Sequence, residues 1–130
     1  LLKKLCDLDY QVSLETSGAI DISSVDPRVM KVVDIKTPAS LESAKNNFQN
    51  IEQLLPHDQV KFVICNRADY DWSKKIITQF DLMQRCEILF SPSFHDLSSQ
   101  QLANWILEDQ LPVRFQLQLH KILWGDVPGK

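Results

Sequence analysis

The sequence predicts an α/β fold built on a mostly parallel sheet, open or curled toward a barrel. Two observations carry this. Short stretches rich in Val, Ile, Leu and Phe recur along the 130 residues: QVSLE (11–15), MKVVDIK (30–36), VKFVICN (60–66), EILFSP (87–92) and VRFQLQL (113–119). Apolar runs of that length suit buried parallel strands. Amphipathic helical patterns separate several of them, and strand–helix alternation at this pitch marks parallel strands joined by crossovers.

Each element has its own warrant. Leu1 to Leu8 reads as the tail of a helix. The link at 16–29 is short for a crossover helix; its IDISSVDP reads as an irregular connection or a small extra strand. In SLESAKNNFQNIEQLL (40–55), Leu41, Ala44, Phe48, Ile51, Leu54 and Leu55 fall at helical spacing. Ser40 is placed as an N-cap and Pro56 stops the pattern. DWSKKIITQFDLM (71–83) repeats this with Trp72, Ile76, Ile77, Phe80 and Met83. SSQQLANWILEDQL (98–111) opens on a Ser98/Gln101 capping-box pattern and turns Leu102, Trp105 and Ile106 inward. The first strand has no earlier strand to cover its outer edge, and an uncovered edge is a liability. With no initiator Met, the expectation is a chain cut from something longer.

Composition narrows the function classes. With 44% hydrophobic and 24% charged residues, the chain has the mix of an ordinary globular domain. A net charge of −3 with scattered acids favours neither nucleic acid nor an anionic membrane surface. No apolar run approaches the roughly 18–20 residues of a membrane span. The three cysteines, Cys6, Cys65 and Cys86, are widely separated, without a CxxC pair. They read as structural thiols in a reducing, cytoplasmic setting. With only Gly18, Gly125 and Gly129 in the chain, Rossmann and P-loop nucleotide motifs are excluded.

In α/β sheets and barrels, sites form beyond the carboxyl ends of the strands. All five strands finish in polar groups: Glu15-Thr16-Ser17-Gly18, Asp34-Ile35-Lys36-Thr37, Cys65-Asn66-Arg67, Ser91-Pro92-Ser93, and Gln116, Gln118, His120 and Lys121. Each has a plain alternative. Glu15 and Ser17 suit a turn, Asp34 and Lys36 an ion pair, Ser91-Pro92-Ser93 a loop, and His120 a core histidine. Together they predict a small-molecule pocket on one rim. On the last strand, Gln116, Gln118 and His120 are expected to face that pocket, with Phe115, Leu117 and Leu119 packing outward on helices.

At VSLETSG, VVDIKTP, LFSPS and QLQLHKILWG the sequence resembles the 7-carboxy-7-deazaguanine synthase family of radical S-adenosylmethionine (SAM) enzymes. The resemblance runs in order over nearly the whole chain. LETSG and QLHK are its most specific pieces, DIKTP is shared more widely, and SPS is weak. It implies that residues 1–130 form the C-terminal part of a single partial (β/α) barrel domain without its first strands. The three-cysteine [4Fe–4S] motif, the SAM motif and the Mg²⁺ ligand would lie upstream. It carries no catalytic or metal residue onto this chain. It places Thr16, Ser17, Lys36, Ser91 and Ser93 on the SAM side, and Glu15, Thr16, Gln118 and His120 on the substrate side.

The implied reaction is a lyase step of queuosine and 7-deazapurine biosynthesis. It contracts 6-carboxy-5,6,7,8-tetrahydropterin to 7-carboxy-7-deazaguanine with loss of ammonia, and the cofactors carry the radical chemistry. A flavodoxin- or ferredoxin-type electron donor and a homodimer are implied partners; nucleic acid and membrane are not. The chain alone is expected to bind no cluster and to be inactive. Two alternatives stand beside this: a non-catalytic small-molecule-binding or assembly module of degenerate radical SAM type, and a Schiff-base aldolase-like barrel fragment using Lys36.

Overall fold

The computed structural model describes residues 1–117. A short helix α1 (Leu2–Asp7) precedes five strands: β1 (Ser13–Ser17), β2 (Met30–Ile35), β3 (Gln59–Ile64), β4 (Glu87–Pro92) and β5 (Arg114–Phe115). Helix α2 (Arg67–Gln79) joins β3 to β4, and α3 (Ser99–Glu108) joins β4 to β5. The sheet order is β1-β2-β3-β4-β5, and every pairing is parallel. The chain is therefore α/β, as its alternation predicts.

Sequential order has a physical consequence. Crossovers between parallel strands share one hand, so successive neighbours put their connections on the same face. The core follows from that. Val33 and Ile35, Val60, Phe62 and Ile64, and Ile88 and Phe90 form one buried cluster with Tyr70, Ile76 and Ile77 of α2 and Leu102 and Ile106 of α3. Phe62 and Phe90 meet edge to face, with ring centroids 5.6 Å apart, an arrangement the ring quadrupoles favour. Strand residues alternate between faces. Glu15, Ser17, Val32, Asp34, Lys61, Val63, Leu89 and Ser91 therefore point away from the helices. The sheet has an apolar, helix-covered side and a side that carries charge.

The structure corrects the helix expected over 40–55. This stretch is a chain of short 3₁₀ turns, Pro38–Ser40, Ser43–Lys45 and Phe48–Gln53. The cause is its asparagines, whose side chains compete with the helical backbone ladder. Asn46 Oδ1 accepts the Lys36 amide at 3.0 Å, and its Nδ2 donates to the Lys36 carbonyl at 2.9 Å. Asn50 Oδ1 accepts Ile22 N, while its Nδ2 donates to the carbonyls of Gly18 and Ile20. Asn50 thereby holds the irregular β1–β2 link in place of a crossover helix. Leu41, expected inside, is 90% exposed with φ 63°, whereas Ile51 and Leu54 are buried as expected.

Smaller differences share this local character. Helix α2 starts at Arg67 rather than residue 71, because Asn66 caps it by accepting Asp69 N at 2.8 Å. The Ser98 cap on Gln101 N is present at 3.1 Å. Strand β1 runs two residues further than expected, and β5 is short. The last ladder contact of β5 is Gln116 N to the Phe90 carbonyl. Phe115 packs against the helix-side core, but Leu117 and Gln116 are exposed, which overturns the expected outward packing of Leu117.

Candidate functional site

The charged side of the sheet carries a recess of about 230 Å³, lined by Glu15, Thr16, Ser17, Val32, Asp34, Lys36 and Lys61. It lies over the carboxyl ends of β1 and β2 and the middle of β3. Parallel pairing builds it, since Ser17 stands beside Asp34, and Asp34 beside Lys61.

The backbone frame is tightly specified. Gly18 N donates to the Asp34 carbonyl at 2.8 Å, and a Cβ on Gly18 would lie 3.1 Å from that oxygen. The glycine of LETSG thus eases the close approach of two strand ends. Asn46 brackets the Lys36 backbone from the other side. Thr37, buried, has its hydroxyl 2.9 Å from Asp69 Oδ2 and 3.1 Å from the Val63 carbonyl. Asp69 also accepts the amides of Ala39 and Cys65. That carboxylate ties the exits of β2 and β3 to the start of α2, so the threonine of DIKTP serves the scaffold.

Inside the recess, Lys36 Nζ lies 2.9 Å from Asp34 Oδ2, the ion pair that the Asp-x-Lys spacing allows. The second carboxylate oxygen, Asp34 Oδ1, is buried without a hydrogen-bond partner. Ser91 Oγ, on the same side of the sheet, is likewise buried and unpartnered. Buried polar atoms without a partner are costly.

The predicted residues divide. Glu15, Thr16, Ser17 and Lys36 come together in the recess. Thr16 contributes through its main chain, since its side chain points toward the helices. Ser91 shares the face, but is not part of the recess lining. Ser93 is a turn residue: its hydroxyl donates to Asp96 at 2.8 Å and its amide to the Ile64 carbonyl. Gln118 and His120 lie outside the described residues. Lys61 also lines the recess, and its only signal in the sequence is its odd-numbered place between Val60 and Phe62 in an alternating strand.

Among the described residues, no group of three or more His, Cys, Asp or Glu is placed to hold a metal ion. Cys6 sits in α1, Cys65 after β3 and Cys86 before β4. Burial pushes the Cys65 thiol up, and that of Cys86 up to about 11. Cluster ligation requires several thiolates held together, whereas these three cysteines lie on separate elements. The described residues do not fit an iron–sulfur cluster. Nor is any described helix long and apolar enough to cross a membrane.

No family model matches the chain. It is 39% identical to the 7-carboxy-7-deazaguanine synthase of Koribacter versatilis, over 95% of this chain and 60% of that protein. It is 42% identical to the synthase of that name from Chlorobaculum tepidum, over 96% of this chain and 58% of the relative. The synthase of Methanospirillum hungatei is 32% identical over 95% of this chain and 50% of its own length. The chain is thus similar to 7-carboxy-7-deazaguanine synthases along nearly its whole length, and spans half to three-fifths of theirs.

Proposed function

We propose that this chain is the C-terminal part of a 7-carboxy-7-deazaguanine synthase, and that the charged side of its sheet forms part of the site for SAM and 6-carboxy-5,6,7,8-tetrahydropterin. One observation carries the reading. The recess gathers Glu15, Thr16, Ser17 and Lys36, four residues that the family resemblance singles out from two separate motifs. In this reading the five parallel strands are the later strands of a partial (β/α) barrel, and the charged side is its lumen.

SAM and a [4Fe–4S] cluster, when bound, supply the hydrogen-abstracting chemistry that ring contraction needs, and the cluster and Mg²⁺ are held by an upstream segment. This chain's own residues bind, orient and shield. Glu15 accepts hydrogen bonds from the amino-pyrimidine edge of the pterin, for which a carboxylate is an acceptor-only partner. The Gly18–Asp34 contact and the Asn46 bracket keep the strand ends rigid, so that the bound molecules are held in register. Ser17, Lys36, Ser91 and Ser93 serve the SAM side, and Gln118 and His120 the pterin side. A flavodoxin- or ferredoxin-type donor and a homodimer go with this reading. Lys36 is engaged with Asp34 rather than standing free as an amine nucleophile, which speaks against the Schiff-base alternative.

Anaerobic reconstitution with iron and sulfide tests the division of labour. The 130-residue chain is expected to take up no stoichiometric cluster. The product of the complete gene, with a three-cysteine motif upstream, is expected to cleave SAM. A SAM-cleaving cluster on the 130-residue chain would overturn the reading. A complete gene without such a motif would favour the binding-module alternative.

A further inference from the structure

We infer that Lys61 is the anion-binding residue of this recess, and that it takes the carboxylate of a small molecule lying across β1, β2 and β3. The inference rests on the functional reading above and adds a residue that the family resemblance does not single out.

Charge pairing within the recess leads to it. Four ionisable side chains line it: Glu15, Asp34, Lys36 and Lys61. Lys36 is taken by Asp34 at 2.9 Å. Lys61 stands directly beside Asp34 in the β2–β3 register, yet it makes no ion pair or hydrogen bond with any described residue. Asp34 Oδ1 remains buried and unpartnered. Lys61 is half-buried. A half-buried ammonium that makes no direct ion pair with its neighbour is open to a partner brought from outside. A carboxylate does so with a charge-assisted hydrogen bond.

Glu15 is the other open charge, also without a partner among the described residues. It lies two strands from Lys61 and two residues further back along the sheet. From strand spacing and rise, the two backbones are roughly 12 Å apart. The recess therefore has an acidic end and a basic end. It suits a molecule with hydrogen-bond donors at one end and a carboxylate at the other. 6-Carboxy-5,6,7,8-tetrahydropterin and SAM both carry a carboxylate, so the chemistry is shared and binding measurements separate the two.

The experiment is anaerobic calorimetric titration of the full-length protein and its Lys61→Met and Lys61→Arg variants. The probes are SAM, 6-carboxytetrahydropterin, and tetrahydropterin lacking the carboxylate. Lys61→Met is expected to weaken one carboxylate ligand about 10- to 100-fold, the size of a lost charge-assisted hydrogen bond. Lys61→Arg is expected to restore most of that loss, and tetrahydropterin should bind both variants as it binds wild type. The arm that weakens identifies which carboxylate Lys61 holds. Unchanged affinity in both arms would overturn the inference and leave the functional reading intact. So would an equal loss for the carboxylate-free pterin, which would mark Lys61 as structural. A wild-type protein that binds neither SAM nor the pterin would overturn the functional reading and this inference with it. If Lys61→Met fails to fold, Lys61→Gln is read against the same outcomes.

Discussion

Asp58 sits at the opposite end of the sheet from the recess and sets a contrast with Asp34. Its carboxylate is fully buried, pairs with Lys31 Nζ at 3.1 Å, and accepts the amides of Lys31 and Leu55. Every charge there has a partner inside the fold, which is how a scaffold carboxylate looks. Removing one member strands the other in a dry environment. Asp58→Ala is therefore expected to destabilise the protein by about 3–5 kcal/mol in urea unfolding. A loss below about 1 kcal/mol would mean that the pair is solvated. Asp26 offers a pH-dependent counterpart at the surface. The Arg28 side chain and then the Arg28 amide hold its carboxyl down to about 2, from an ordinary 3.8. A depressed folded-state value means that the contribution is present above 3.8 and is lost as pH falls toward 2. Asp26→Asn should flatten the drop in urea midpoint over that window. An unchanged drop would show that Asp26 is not part of it.

At the scale of elements, the strands and the two long helices were legible because their signal is periodic burial, which packing reinforces. Phe62 is the test case, fully buried between Phe90 and Trp72. Phe62→Ala is expected to cost about 3–5 kcal/mol, measured by chemical unfolding, and a cost under 1 kcal/mol would contradict the assigned core. The 40–55 segment was misread because its apolar spacing is helical while its hydrogen bonding is not. Asn46 and Asn50 spend their side chains on backbone of other segments, and Asn47 caps the Phe48–Gln53 turn by accepting Gln49 N. Periodicity does not record that. Asn50→Ala leaves the Ile22 amide and two carbonyls without their partner. It should destabilise by about 2 kcal/mol or more; a neutral result would mean that water replaces the side chain fully.

At the scale of the whole molecule, sequential parallel order places both helices on one side of the sheet and leaves the other side open to carry Glu15, Asp34 and Lys61. The general location of the recess was legible, because strand ends in this architecture collect polar groups whatever the chemistry. Glu15, Ser17 and Lys36 were found that way. Lys61 was not, because it lies in mid-strand, where only the register against Asp34 shows that it shares the recess. The roles of Gln118 and His120 stay with the proposed pterin side. On the function proposed above, this sheet face belongs to an enzyme that contracts a pterin ring. The direct measurement is anaerobic turnover of the complete, cluster-loaded protein with SAM and 6-carboxy-5,6,7,8-tetrahydropterin, followed by mass spectrometry. 7-Carboxy-7-deazaguanine and ammonia are expected in equal amounts if the proposed function holds. SAM cleavage without that product would contradict it.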